Sequence, residues 1–382
     1  MDLSPNPRYE AFREECRSWL AANRPARPLR SMDTAVGFEE HREWERVLFD
    51  GGWSVPAWPA AYGGRDCDLI EWLIYEEEYW LSGVPGRVSA NGVSLLAPTI
   101  FNFGTQEQQD YFLPRMASGE HVWAQGWSEP EAGSDLAGIK TKAIREGDHY
   151  VLNGQKTWCS RGAFADWIFC IVRTDPDAER HAGLTYLLVP ADAPGLERRP
   201  IGRLDGEPGF AELFFDDCRV SVDHVLGAEG QGWAVAMAAA GSERGLSLRS
   251  PGRFMAAAER LTALRPRDGG QRVGDRSAAA RRGDRCLDPG PGVPLADVPD
   301  RGPADGRCRD RFGGQPHEGV LVRDGSRAPR HGATAARRPR RDRGGQRLAR
   351  RLRVRPVRAD LPGTNEIQRN IIAERVLGLP RR

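Results

Sequence analysis

The stretch Tyr150-Val-Leu-Asn-Gly-Gln-Lys-Thr-Trp-Cys-Ser160 lies within the strand-patterned part of the chain, which begins near His121. Asn153-Gly154 favours a two-residue hairpin turn, because both central positions of such a turn need positive φ. We therefore predict a β-hairpin that turns there. Short apolar runs bounded by Gly, Pro and Asp predict further strands at residues 167–172, 184–189 and 211–215. Together these segments predict a central β domain over residues 121–230.

The residues before this domain carry helical patterns. Asn6-Pro7 places a capping side chain before a proline at the first helical position. Thr105 is a second capping residue, and Pro114 should kink or stop the helix that follows it. Two further helices are predicted, over residues 38–50 and 69–80. Residues 1–120 are thus predicted to form an N-terminal helical domain.

Helical patterning resumes at Trp233 and continues through residues 236–263, with a break near Ser250-Pro251. We assign residues 231–382 to a C-terminal helical region. The predicted fold class is α+β, with an N-terminal helical domain, a central β domain and a C-terminal helical domain whose later part is disrupted.

Residues 265–360 have an aberrant composition. They hold 25 of the 52 arginines, 12 acidic residues and one Phe, and they contain no Lys, Ile, Met, Tyr, Trp or Asn. A segment so poor in large apolar side chains cannot offset the entropy of ordering it, so we expect it to be disordered. Its net charge of +13 leaves −11 for the rest of the chain, which gives no reason to expect nucleic-acid binding there.

Three interpretations of residues 265–360 compete. A nucleic-acid tail is poorly supported, because the segment lacks interleaved aromatic residues and contains interspersed acids. A natural disordered insertion would come in addition to the helices of the C-terminal region. This segment instead takes up the length that those helices would need. We favour translation out of frame through a GC-rich coding region, since Arg, Gly, Pro and Ala have GC-rich codons.

Cysteine spacing and the N-terminus indicate the cellular setting. Seven cysteines without Cys-x-x-Cys spacing favour free thiols over disulfides or a zinc site. The start Met1-Asp-Leu-Ser-Pro has no basic or apolar leader, and no stretch approaches 18 apolar residues. We expect a cytoplasmic protein that binds neither metal, membrane nor nucleic acid.

Three motifs occur in a fixed order: Trp127-Ser-Glu-Pro-Glu-Ala-Gly-Ser-Asp135, Asn153-Gly-Gln-Lys-Thr-Trp-Cys-Ser160 and Gly363-Thr-Asn-Glu-Ile-Gln-Arg-Asn-Ile-Ile-Ala-Glu-Arg375. With the helical, β, helical order, they resemble the acyl-CoA dehydrogenases over about residues 5–262 and 361–380. The resemblance implies FAD-dependent α,β-dehydrogenation of an acyl-CoA thioester. The α proton would leave to a base and the β hydride to flavin, with electrons passed on to an electron-transfer flavoprotein.

The resemblance also implies a set of cofactor-binding residues: Trp127, Ser128, Gly133, Ser134, Trp158, Ser160, Thr364 and Glu366. The serines would offer hydroxyl or N–H groups to the flavin, and Trp158 would pack on the isoalloxazine ring. Ser134 would also contact substrate. Taken singly, a Trp in a strand is more often a core residue, and such serines are more often surface residues.

The family has two positions for the catalytic base. Pro362 occupies the first, and proline neither takes a proton nor offers an N–H to the thioester oxygen. Loss of one oxyanion donor typically costs about 2.7–4 kcal/mol, so we expect a poor catalyst. At the second position Glu243 precedes Arg244. We predict Glu243 as the base and Arg244 as a substrate contact, the alternative being an exposed pair on an amphipathic helix.

Other functions stay open at this point. The chain could be a non-catalytic flavin-binding or interaction subunit, or the inactive product of a damaged reading frame. Residues 265–360 lack the Gln-x-x-Gly-Gly element that in the family helps to bind a neighbour's FAD and to build the subunit interface. A homo- or hetero-oligomer, dimer or tetramer, is expected only with an intact C-terminal bundle.

Overall fold

The computed structural model describes residues 6–244 and 250–263, apart from the side chains of residues 243, 244 and 263. The predictions made for residues 265–360 and for Pro362, Thr364 and Glu366 lie outside the described residues.

The N-terminal part is helical, as predicted. Its α-helices are α1 (Pro7–Asn23), α2 (Ala35–Asp50), α3 (Leu69–Leu81), α4 (Ala97–Phe103) and α5 (Gln106–Ala117), and a π-helical turn (Gly92–Leu96) leads into α4. The Asn6 side chain accepts from the Arg8 N–H, and Thr105 and Gln108 form a capping box, so both predicted helix starts are confirmed. Pro114 lies inside α5 without ending it.

The central part is a seven-stranded sheet. The strands are β1 (Trp123–Gly126), β2 (Lys142–Glu146), β3 (His149–Ser160), β4 (Trp167–Arg173), β5 (Leu184–Pro190), β6 (Leu196–Ile201) and β7 (Phe210–Ser221). They are ordered β1-β4-β2-β3-β7-β6, with β5 also paired to β4. β4 and β5 are buried over nearly their whole length, as their continuous apolar runs predict.

The predicted hairpin turn at Asn153-Gly154 is wrong. β3 continues through both residues, and the hairpin turns instead after Glu146, which pairs with His149. Between the pairs Leu152/Cys218 and Gly154/Phe215, β7 carries one residue more than β3. Gly154 has φ +149 beside this bulge, and a Cβ there would lie 2.6 Å from Thr141 Oγ1. The glycine is therefore needed for a close backbone approach inside the sheet, not for a turn.

Two helices follow the sheet, α6 (Gly232–Arg244) and α7 (Pro251–Ala263), which confirms the predicted helical pattern and its interruption. Val235, Ala236 and Ala239 of α6 lie in one apolar cluster with Leu96 and Trp127. This cluster joins the helical part, the sheet and α6. It therefore fixes the position of α6 against the sheet. No helix among the described residues is long and apolar enough to cross a membrane.

Candidate functional site

Trp158 is presented to solvent by a strained backbone. Its side chain is 61% exposed and its φ is +61, a left-handed conformation that costs a non-glycine residue about 1–2 kcal/mol. Between the pairs Lys156/Leu213 and Cys159/Ala211, β3 carries one residue more than β7, and this bulge turns the indole outward. Among the described aromatic rings, the Trp158 ring packs only on Phe210, in a T-shaped contact with 5.9 Å between centroids. Strain that exposes a large apolar side chain indicates a ligand contact.

Residues 127–135, here called the motif loop, lie beside the strand that carries Trp158. The Thr157 N–H donates to the Ser128 carbonyl at 2.9 Å, one residue from the exposed indole. Glu129 and Ala132 exchange backbone hydrogen bonds, which closes the loop into a tight turn. The first two motifs of the sequence therefore meet in space, as the resemblance implies.

A buried ion pair holds the motif loop to β3. Lys156 has no exposed side-chain surface, and its ammonium donates to Glu129 Oε1 at 2.8 Å and to the Trp127 carbonyl at 3.1 Å. The Glu129 carboxylate also accepts the N–H groups of Lys140 and Thr141, at 2.6 and 2.9 Å. Burial by itself raises the pKa of Glu129, but the ammonium and these donors outweigh it and hold the pKa below its ordinary value.

The pairing of Glu129 with Lys156 was not predicted from the sequence. A lysine on the face of β3 that packs inward needs a buried partner, because an unpaired ammonium in the interior is costly. Strict alternation from the buried Tyr150 and Leu152 places Lys156 on that face of β3, but no local sequence signal identifies Glu129 as its partner.

The predicted serines and Gly133 offer unused hydrogen-bonding groups. Ser128 and Ser160 are half-buried, while Gly133 and Ser134 are exposed. Within the described residues, none of the three serine hydroxyls makes a hydrogen bond, nor do the backbone N–H groups of Gly133 and Ser134. No atom lies within 4 Å of a Cβ placed on Gly133, so a ligand can approach its backbone. An exposed aromatic face with uncommitted neutral donors suits a planar ring joined to an anionic group.

Trp127 differs from Trp158. Only 8% of its surface is exposed, and its ring packs edge-on against Tyr186 with 6.2 Å between centroids. Its side chain lies in the apolar cluster, which matches the core alternative considered for it. A cofactor contact by Trp127 stays a prediction, as do those of Thr364 and Glu366.

Glu243 and Arg244 form the last turn of α6. They follow Ala239 and Ala240, which pack in the cluster that contains Trp127. Their backbone therefore continues a helix that packs in the same cluster as Trp127 of the motif loop. Their side chains lie outside the described part of the chain.

Comparison with known proteins identifies the family. The model for the acyl-CoA dehydrogenase N-terminal domain matches residues 6–120, and the model for the acyl-CoA dehydrogenase middle domain matches residues 124–218. The chain is 43% identical over 247 residues to acyl-CoA dehydrogenase IpdE1 of Mycobacterium tuberculosis, covering 62% of this chain and 63% of that relative. It is 41% identical over 254 residues to IpdE1 of Mycolicibacterium smegmatis, with 62% and 65% covered. The match thus spans less than two thirds of the length of these two relatives.

Two solved structures extend the match to three dimensions. The steroid acyl-CoA dehydrogenase Tcur3481-Tcur3483 superimposes with a TM-score of 0.64 at 32% identity, covering 75% of this chain and 73% of that one. The ChsE4-ChsE5 complex from Mycobacterium tuberculosis gives 0.63 at 32% identity, with 75% and 74% covered. The helical part, the sheet and the ordered motifs agree with these matches, and the chain belongs to the acyl-CoA dehydrogenase family.

Proposed function

We propose that this chain binds FAD and dehydrogenates an acyl-CoA thioester between its α and β carbons. The observation that carries the proposal is Trp158, an indole 61% exposed on a left-handed backbone beside unused hydrogen-bond donors. Family membership supports a flavin site at that arrangement over an isolated surface tryptophan.

The groups in the candidate site fit FAD. Trp158 would pack on the flavin ring, and the free hydroxyls of Ser128 and Ser160 would meet its polar edge. Gly133 and Ser134 present exposed N–H groups, which suit a pyrophosphate. Thr364 and Glu366 complete the proposed cofactor set. FAD, when bound, would supply the acceptor for the hydride that leaves the β carbon.

Glu243 is the proposed base. Its carboxylate would remove the α proton of the thioester, and Arg244 and Ser134 would orient the substrate. Pro362 lacks an N–H, so one donor to the developing charge on the thioester oxygen would be missing. Turnover should therefore be slow.

A steroid-derived acyl group is the substrate class that we place first. The support is the similarity to a structure described as a steroid acyl-CoA dehydrogenase. We further propose that electrons pass to an electron-transfer flavoprotein. Assembly with a second subunit, like or unlike, has support from a solved relative that is a complex of two named chains.

The experiment uses the purified full chain. Its flavin absorption is recorded, and reduction of a redox dye is then measured with straight-chain and steroid-side-chain acyl-CoA thioesters. Glu243→Gln should abolish turnover and leave flavin content unchanged, while Glu259→Gln, on the exposed face of α7, should alter neither. Flavin without turnover in the unmodified chain would favour a non-catalytic flavin-binding subunit. Absence of flavin even after FAD is added would overturn the proposal.

A further inference from the structure

The turn that follows β3 contains a second strained residue. Arg161 comes directly after Ser160 and has φ +54, and Trp158 has φ +61. Two left-handed non-glycine residues within four positions persist only when neighbouring groups hold them. Trp158 and Arg161 thus belong to one strained backbone segment, and Ser160 lies between them.

The backbone of this turn is tied to the β domain. The Arg161 N–H donates to the Gly209 carbonyl at 3.0 Å, and the Ala165 N–H donates to the Arg161 carbonyl at 3.1 Å. Arg198 donates from Nη1 to the carbonyls of Gly162 and Ala165, at 3.2 and 2.9 Å. These hydrogen bonds fix the backbone of residues 161–165 to the β domain.

The Arg161 side chain leaves the β domain and forms an ion pair with the helical part. Its Nε lies 3.4 Å from Asp33 Oδ1, and Asp33 is only 9% exposed. The second Asp33 oxygen lies 2.7 Å from Arg203. Burial lowers the pKa of Arg161, and the Asp33 carboxylate counteracts this by stabilising the cation. The Arg161 side chain is 22% exposed, and a guanidinium so largely withdrawn from water depends on such a partner.

Asp33 is itself anchored. The preceding Arg30 donates its N–H to Glu40 Oε2 at 2.7 Å, and the Arg30 carbonyl lies 3.1 Å from His41 Nε2. The following Thr34 caps α2 by accepting the Gly37 N–H at 3.2 Å. Residues 30–34 are thus fixed to α2 on both sides of Asp33, which gives the carboxylate a defined position.

We propose that Asp33 is a positioning residue: through Arg161 it sets the orientation of Trp158 and Ser160. This orientation is set by contacts within the chain and does not require a bound ligand. Its use, to present the indole and the hydroxyl to a flavin, rests on the proposed function.

The test labels the full chain with 5-fluorotryptophan and records its fluorine NMR spectrum without added flavin. Trp158→Phe assigns the Trp158 resonance. Asp33→Asn should shift or broaden that resonance while leaving those of buried tryptophans such as Trp53 in place, and Asp33→Glu should restore it in part. Arg203→Gln removes the other partner of Asp33 and should leave the Trp158 resonance near its original position.

A double variant tests whether Asp33 acts through Arg161. Arg161→Gln should reproduce the change caused by Asp33→Asn, and the two substitutions together should change the Trp158 resonance no further. If Asp33→Asn does not fold, Arg161→Gln alone must still move that resonance. An unmoved Trp158 resonance, or an equal change at all tryptophans, would overturn the proposal.

FAD titration separates this proposal from the proposed function. Where the unmodified chain binds FAD, Asp33→Asn should raise the dissociation constant about tenfold, with a smaller effect from Arg203→Gln. Unchanged affinity would overturn the flavin-facing part of the proposal. A chain that binds no FAD but shows the Trp158 shift would contradict the proposed function and support the positioning role.

Discussion

Lys156 and Glu129 form a buried ion pair, 2.8 Å between Nζ and Oε1, that joins β3 to the motif loop. One residue belongs to each of the first two motifs, so the pair explains in physical terms why those motifs occur together. It also places Ser128 beside the strand segment that ends in Trp158 and Ser160.

Breaking this pair should destabilise the β domain strongly. Lys156→Met leaves the Glu129 carboxylate buried without its ammonium, which typically costs about 3–5 kcal/mol. Urea unfolding, monitored by circular dichroism, measures the change in the free energy of unfolding. Lys140→Met is the matched control, because that ammonium lies in an exposed pair with Glu131 and should contribute little. Equal effects of the two substitutions would contradict the role given to Lys156.

Acid should destabilise the protein through two partly buried histidines. His121 and His224 lie beside the Trp167 ring, with 5.6 and 5.1 Å between centroids. Burial lowers the pKa of each imidazole below its ordinary value, and the carboxylates of Glu120 and Asp223 respectively oppose the shift. The unfolded chain therefore binds more protons than the folded chain between the folded pKa and about 6.5.

The sign follows from that difference. Stability is highest above about pH 6.5 and decreases as the pH falls toward the folded pKa values. Thermal unfolding recorded from pH 8 to about pH 5 should show this decrease, and His224→Asn should make it shallower. A pH dependence that His224→Asn leaves unaltered would show that His224 does not contribute to it.

Two glycines should respond oppositely to alanine. Gly154→Ala would place a Cβ 2.6 Å from Thr141 Oγ1 at φ +149, so it should lower stability by more than about 1 kcal/mol. Gly133→Ala meets no atom within 4 Å and should leave stability nearly unchanged, yet weaken FAD binding by obstructing approach to the backbone. Urea unfolding and FAD titration of both variants separate the two roles. Loss of stability in Gly133→Ala would assign that glycine to the fold.

Local sequence signals predicted the helices well, because caps and periodic apolar positions act within a few residues. Asn6 and Thr105 begin helices as expected, and the apolar runs at β4 and β5 are buried strands. Asn153-Gly154 was misjudged because the competing interaction, the approach of Thr141 to Gly154, comes from the residue that precedes β2. Tertiary packing overrides turn preference there.

The sequence predicted which residues form the candidate site, but not the contacts that hold them in place. Its motifs indicate Ser128, Ser134 and Trp158, and the structure brings the segments of Ser128 and Trp158 together. The groups that hold them, Glu129 with Lys156 and Asp33 with Arg161, are contacts between segments distant in the sequence. Such contacts have no local sequence signal, so they emerge only from the folded arrangement.

Trp158→Ala is the direct test of whether this indole contacts a flavin. Because this side chain is 61% exposed, its removal should change the unfolding free energy little. We expect FAD, titrated into the full chain stripped of flavin, to bind the unmodified protein saturably and to bind Trp158→Ala at least about tenfold more weakly, since an aromatic contact is lost. Equal FAD affinity in the two proteins would contradict the assignment of Trp158 and its neighbours as the flavin site.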